Sequence, residues 1–304
     1  MIGGWGETTG DNKDKTNRLI NNVIFYPFSQ QPIPILYNSA HNFTWMNCPP
    51  LTITFLGTGT SSGVPMIGCD CEVCSSNDPK DDRLRSSILV QSASTTLVVD
   101  TGPDFRTQML REKIKKMDAV IFTHPHKDHL AGLDDIRAFN FFTKKHIDIY
   151  ADSLTEEAVR RDFYYAFTDT KYPGIPELNL ITIGMDPFMV GDIPVIPIMV
   201  WHMKMPVLGF RFGKFTYITD ANRIEESEKD KIRGSEIVVL NALRKQKHIS
   251  HFTLEEAIEM VEELKMPLAY FTHISHQMGK HDDVETDLPD GMHLAYDGLK
   301  LQVN

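Results

Sequence analysis

The chain has no run of about 18 consecutive apolar residues, which excludes a membrane-spanning helix. Its opening residues carry Asp11, Lys13, Asp14 and Lys15 where the apolar core of a secretory leader would stand. Positive charge is in short supply, with 31 basic residues against 41 acidic ones and a formal net charge of −10. A polyanion such as nucleic acid is therefore disfavoured unless a local basic patch overrides the field. Cysteine is scarce too, and three of the four crowd into Cys69-Asp70-Cys71-Glu72-Val73-Cys74, which suits convergence on one metal better than a disulfide framework. No short-period repeat is present, so a solenoid is not expected. These absences point to a cytoplasmic globular protein without a membrane partner; a homodimer is compatible with them, and the oligomeric state stays open.

What is present is enough for a large core, since 41% of the 304 residues are hydrophobic. Residues 1–45 are polar, rich in Asn and Gln, and lack any sustained period of 2 or 3.6. They are expected to be a disordered extension or not part of the native protein, with Met46 as the natural start. Residues 46–304 then form one domain. Strands are predicted over 51–56, 87–90, 97–99, 118–122, 147–150, 195–200, 208–212, 215–219, 237–240 and 268–272, from short apolar runs bounded by turn residues. Helices are predicted over 130–142, from Leu130, Leu133, Ile136 and Phe139, and over 155–167. Thr253-Leu254-Glu255-Glu256 matches a capping box ahead of Leu254, Ala257, Ile258, Val261 and Leu264 on one helical face. Gly57-x-Gly59-x-x-x-Gly63 reads as a turn leaving the first strand.

The chemistry is concentrated in Thr123-His124-Pro125-His126-Lys127-Asp128-His129, directly after the apolar run 119–122. His124 and His126, two apart on extended backbone, can turn the same way, and Asp128 and His129 on the following turn can face a second ion. One loop can therefore begin two metal sites. Phe271-Thr272-His273 echoes Phe122-Thr123-His124 in the second half, which suggests two sheet-and-helix halves meeting at one edge.

This His-x-His-x-Asp-His motif, preceded by Val98-Val99-Asp100-Thr101-Gly102, resembles the metallo-β-lactamase superfamily. The resemblance runs from residue 51 to the end. It implies an α/β fold, a four-layer αββα sandwich, with a dinuclear centre at the sheet edge. It further implies that His124, His126 and His202 hold one ion, that Asp128, His129 and His273 hold the other, and that Asp220 bridges them. The ions would be Zn²⁺ or Mn²⁺, with Fe²⁺ also compatible with imidazole and carboxylate donors. Asp100 is placed to support a ligand histidine from behind. Met203-Lys204-Met205-Pro206 is read as a wall beside His202, or as packing.

Three thiolates at Cys69, Cys71 and Cys74 leave a tetrahedral Zn²⁺ one ligand short, and either Cys48 or a histidine could complete the set. The loop resembles that of the phosphodiesterases of phosphonate catabolism that open phosphoribosyl cyclic phosphate. There the fourth ligand is a histidine three residues after the last catalytic histidine, and His276 stands three after His273. The resemblance thus implies a structural Zn²⁺ at Cys69, Cys71, Cys74 and His276, with an iron–sulfur site as the alternative. It also implies hydrolysis of a small, cyclic or compact phosphodiester by a water acidified between two ions about 3.5–4 Å apart. Asp128 would orient that water, and His251 would donate the proton to the leaving group, with His248 as its rival. Arg85, Arg106, Arg244 and His248 are the candidate substrate contacts. The alternatives are a transfer-RNA 3′-processing endonuclease, a non-catalytic cofactor-biosynthesis or metal-binding protein, and a lactamase or thioesterase.

Overall fold

A computed structural model describes residues 48–168 and 173–304. The expected extension 1–45 lies outside the described residues. In the first half β1 (Leu51–Gly57), β2 (Ser87–Gln91) and β3 (Thr96–Val99) form a meander, followed by α1 (Phe105–Arg111), β4 (Ala119–Ile121), α2 (Lys127–Leu130), α3 (Arg137–Thr143), β5 (Ile147–Ala151), α4 (Ser153–Asp162) and β6 (Leu178–Thr182). The second half begins with β7 (Phe188–Val190), β8 (Ile193–His202), β9 (Met205–Phe212), β10 (Phe215–Tyr217) and β11 (Arg223–Ile224). It continues through α5 (Glu226–Ile232), β12 (Ile237–Asn241), α6 (Leu254–Leu264), β13 (Leu268–Thr272), α7 (His281–Asp287) and β14 (Met292–Leu294). A last strand, β15 (Lys300–Val303), returns to pair antiparallel with β1. The two sheets run β15-β1-β2-β3-β4-β5-β6 and β11-β8-β9-β10-β12-β13-β14, with β7 added on β8.

Three separate apolar cores make this a four-layer αββα sandwich. Leu97, Val99, Ala119 and Ile121 of the first sheet meet Phe210, Phe212, Phe215, Tyr217 and Val239 of the second between the sheets. The alternate residues Val98 and Val120 face the other way, onto Phe105, Met109, Leu133 and Phe139. Val238 and Leu240 likewise pack on Ala257, Val261 and Leu264 of α6. Strands covered on both faces need apolar residues at every position, which is why they read as unbroken runs rather than as alternation. Each such side chain contributes about 1.5–3 kcal/mol relative to exposure.

The capping box is formed in full: Thr253 Oγ1 accepts from Glu256 N at 3.1 Å, and Glu256 Oε2 accepts from Thr253 N at 2.9 Å. Among the described residues no helix is long and apolar enough to cross a membrane. Two expected helices differ from the sequence reading. The segment 130–142 is α2, a 3₁₀ turn at Leu133–Ile136 and α3 in succession. Its buried apolar residues, Leu130, Leu133, Ile136 and Phe139, recur every third position, the period of a 3₁₀ turn. The break falls at Gly132, whose N–H donates to Thr101 O at 2.8 Å, and a Cβ there would lie 2.1 Å from Gly102 O. The segment 155–167 starts earlier, capped by Asp152 on Thr155 N, and stops at Asp162 before a 3₁₀ turn at Tyr164–Phe167.

Candidate metal centre

The site is assembled at one edge of the sandwich, where β1, β3, β4, β8, β10 and β13 all end. The histidine loop leaves β4, His202 ends β8, Asp220 follows β10 and His273 follows β13. Leu208 N donates to Thr123 O at 3.0 Å and so laces the two sheets together beside it. Asp100, Asp220 and His273 each take a left-handed backbone conformation, with φ of 64°, 54° and 56°. Non-glycine residues pay for that conformation, and such strain concentrates at functional sites. Close approach is permitted by Gly102, where a Cβ would lie 2.1 Å from Asp128 O.

Around Asp220 the donor atoms fall into overlapping groups, each drawn within 4.8 Å: Asp128, His129 and His273 with Asp220; His124 and His126 with Asp220; and His202 and His251 with Asp220. The first group matches the ligand set expected for one ion. The set expected for the other is divided, since the ring of His202 is 5.3 Å from that of His126 and 6.1 Å from that of His124, but 4.6 Å from His251. Asp220 Oδ1 lies 2.8 Å from His273 Nδ1 and 3.4 Å from His129 Nε2, while its Oδ2 lies 3.7 Å from His124 Nε2. One carboxylate thus faces both halves of the cluster.

The outward-facing ring nitrogens are fixed from behind. Asp100 Oδ2 accepts from His129 Nδ1 at 2.7 Å, and Asp100 also accepts from Thr123 N and Thr123 Oγ1. His124 Nδ1 meets Thr123 Oγ1 at 2.9 Å, and Ser250 O accepts from His202 Nδ1 at 2.8 Å. Thr219 Oγ1 donates to Asp220 Oδ1 at 2.8 Å. Bonds of this kind select the tautomer that leaves Nε2 facing the cluster.

The electrostatics call for a cation. Burial opposes charge on His129, yet Asp220, Asp128 and Asp100 together hold its pKa well above the ordinary value. Burial opposes charge on Asp220 as well, but His273 and His129 hold it well below the carboxylate range. Burial and the charge on His129 push His124 well below the imidazole range. His124 Nε2, His129 Nε2, His273 Nδ1 and His251 Nδ1 are buried without a hydrogen-bond partner. Each such atom costs about 1–3 kcal/mol if left so. Convergent imidazole nitrogens around a buried carboxylate fit divalent transition-metal ions. Asp100→Asn would keep the shape but offer His129 a neutral partner. Metal affinity is expected to fall by about 10–100-fold, read by competition with a chromophoric chelator.

The cysteine loop is a second, separate group. Cys69, Cys71, Cys74 and His276 lie within 4.8 Å of one another, with His276 Nδ1 3.3 Å from both Cys69 Sγ and Cys71 Sγ. Cys48 is elsewhere, packed against Gly213 and the inter-sheet core, and burial pushes its thiol up to about 11.

His251 is buried and stacked 4.8 Å from His273, and burial followed by His273 pushes it down to about 3. His248 stacks 5.3 Å beyond His251 and bonds Ser250 Oγ at 3.1 Å. Arg85 is engaged by both oxygens of Asp104 and by Ser61 O. Arg244 is held by Gln246 O, Lys247 O and Gln277 Oε1, and Arg106 is exposed on α1. The sequence reading missed Thr60, whose Oγ1 lies 3.2 Å from His273 Nε2. It also missed Arg83, buried against Thr58 Oγ1, Ala295 O and His281 Nδ1. The glycine-rich run around Thr58 and Thr60 was the signal available.

Comparison with known proteins agrees with this fold. The family model described as the β-lactamase superfamily domain matches residues 95–274. A protein named octanoyltransferase from Porphyromonas gingivalis is 37% identical over 252 residues, which are 82% of this chain and 51% of that one. The chain therefore spans about half the length of that curated relative. The crystal structure of a diphosphatase from the PhnP family superposes with a TM-score of 0.79 at 41% identity, over 84% of this chain and 97% of that one. Zn²⁺-bound PqqB from Methylobacterium extorquens gives 0.67 at 20% identity, over 83% and 100%, a likeness of fold alone. With that family model covering more than half of the chain, and the four-layer fold in place, the chain belongs to the metallo-β-lactamase superfamily.

Proposed function

We propose that this chain hydrolyses a small phosphodiester, cyclic or otherwise compact, at a centre of two divalent cations. The observation that carries the reading is Asp220, a single buried carboxylate facing two imidazole groups at once. The 41% identical relative described as a PhnP-family diphosphatase supports a phosphoryl substrate. Two Zn²⁺ or Mn²⁺ ions bound there would acidify a water and neutralise the non-bridging phosphoryl oxygens. His124, His126 and His202 would hold one ion, Asp128, His129 and His273 the other, and Asp220 both.

The remaining chemistry belongs to the chain. Asp128, with Oδ2 3.3 Å from His129 Nε2, has a second oxygen that can accept a hydrogen bond from the attacking water. His251 is neutral at rest, and the negative charge of an incoming phosphodiester raises its proton affinity. It would then take up a proton from solvent and pass it to the leaving oxygen, while the proton lost by the attacking water returns to solvent, with His248 stacked behind His251. Arg85 and Arg244 are already held by Asp104 and by the 246–247 carbonyls, which leaves them less free to clamp phosphate. The Cys69, Cys71, Cys74 and His276 group would hold a third, structural Zn²⁺.

The word diphosphatase for the relative favours one second reading, hydrolysis of a phosphoanhydride at the same centre. A single panel on metal-loaded protein separates the readings: bis-p-nitrophenyl phosphate, 2′,3′-cyclic nucleotides, ribosyl 1,2-cyclic phosphate, a dinucleoside diphosphate, precursor transfer RNA and an octanoyl thioester. Turnover of the small diesters, lost on chelation, is expected. Cleavage confined to the RNA or the thioester would overturn the proposal.

A further inference from the structure

The site histidines are not all held by the same kind of partner. His129 Nδ1 faces the carboxylate of Asp100, and His202 Nδ1 faces the carbonyl of Ser250; both accept hydrogen bonds and have no proton to give. His124 Nδ1 faces Thr123 Oγ1, whose own proton is directed at Asp100 Oδ2, so this hydroxyl too must accept. On His124 and His202 these contacts leave Nε2 unprotonated toward the cluster, and on His129 they place a proton on Nδ1. His273 differs. Its Nδ1 lies 2.8 Å from Asp220 Oδ1, and its Nε2 lies 3.2 Å from Thr60 Oγ1, a hydroxyl that can both give and accept.

We infer that Thr60 is a positioning residue for His273, a hydroxyl that holds this ring by Nε2 so that Nδ1 is aimed at Asp220 and at an entering cation. The inference rests on the metal-centre reading above. A hydroxyl can give or accept, so it pairs Nε2 whichever ring nitrogen carries a proton. An apolar side chain at position 60 would leave Nε2 buried and unpaired.

The backbone keeps Thr60 in place for this. Thr60 N donates to Ile274 O at 3.0 Å, and Ile274 N donates to Thr58 O at 2.8 Å, so the end of β1 is laced to the residue after His273. Thr58 Oγ1 in turn accepts from the buried guanidinium of Arg83 at 2.9 Å. The hydroxyl is 7% exposed as part of Thr60, shielded from water that could replace it.

The test is metal binding rather than turnover, on the full chain with Co²⁺ or Zn²⁺ against a competing chelator. Thr60→Val is expected to weaken one active-site ion by about 10–100-fold and to alter the Co²⁺ absorption spectrum, while the other ion and the cysteine-bound ion stay. Thr60→Ser should restore both affinity and spectrum. If Thr60→Val does not fold, Thr60→Ala reads the same equilibrium. Parent-like affinity in Thr60→Val or Thr60→Ala, or a Thr60→Ser as weak as the valine variant, overturns the inference. A parent that binds ions in this Thr60-dependent way but cleaves no phosphodiester sinks the functional proposal and leaves Thr60 its role.

Discussion

Asp220→Asn is expected to lower phosphodiester turnover by about a thousandfold or more, because it removes the one charge that both metal groups share. Under the proposed mechanism bound ions would supply several kcal/mol of transition-state stabilisation, and about 4 kcal/mol is three powers of ten in rate. Asparagine preserves shape and can still accept from Thr219 Oγ1, so the fold around β10 has little reason to change. What changes is the field: His129 and His273 lose the carboxylate that balances them. Breaking a buried charge pair from one side costs about 3–5 kcal/mol, and the metal-free variant should melt earlier by a corresponding margin. The paired measurements are bound metal per chain and kcat on bis-p-nitrophenyl phosphate. Two ions bound at parent affinity, with parent kcat, would refute the bridging role.

The histidine loop was readable because all its donors sit within seven residues of an apolar strand, and local spacing survives any tertiary arrangement. His202, Asp220 and His273 were readable for a weaker reason: each ends a strand whose apolar run is plain, and a resemblance supplied their order. The strands followed from the same runs, since strands buried on both faces are the most strongly patterned elements of a sandwich, while their four-layer arrangement was what the resemblance implied. Supporting contacts were harder to see. Thr60 and His273 are 213 residues apart, and Arg83 and His281 are 198 apart. No period or motif links such partners, and a buried arginine looks like any surface arginine in sequence. The break in 130–142 was hidden likewise, because Leu130, Leu133, Ile136 and Phe139 fit a helix face nearly as well as a 3₁₀ turn. Only the contact of Gly132 with Gly102, made across the fold, decides between them.

The left-handed backbone at Asp100, Asp220 and His273 connects site and fold further. Asp100 and His273 directly follow a strand of the sandwich, and Asp220 stands three residues past one, so each turns the chain at the sheet edge. The strain is carried by bonds already described: Asp100 to Thr123 and His129, Asp220 to Thr219, His273 to Thr60. A site built this way is set by strand ends of a rigid frame, which holds ligand geometry more tightly than free loops do.

Cys71→Ser is expected to lower the melting temperature by about 10 °C or more and to remove one ion per chain without removing the other two. The loop between Val64 and Arg83 has little core of its own: Val64 and Val73 are buried, but Ile67 is 94% exposed. Its ends are clamped, by Val64 N on Arg83 O and Arg83 N on Val64 O, while its middle relies on the thiol group. The thiols are not ready to ionise together. The Cys74 N–H and then His276 pull Cys71 down to about 6, whereas burial pushes Cys74 up to about 11. A cation is what would let all three carry charge at once, as thiolate ligation requires. Metal binding then becomes folding free energy for this loop, and a few kcal/mol at about 2–4 °C each gives the expected fall. Because His276 follows His273 by three residues, slackening the loop should also loosen the ion at Asp128, His129 and His273. A Cys71→Ser protein with parent melting temperature and parent metal content would show that the thiols are bystanders.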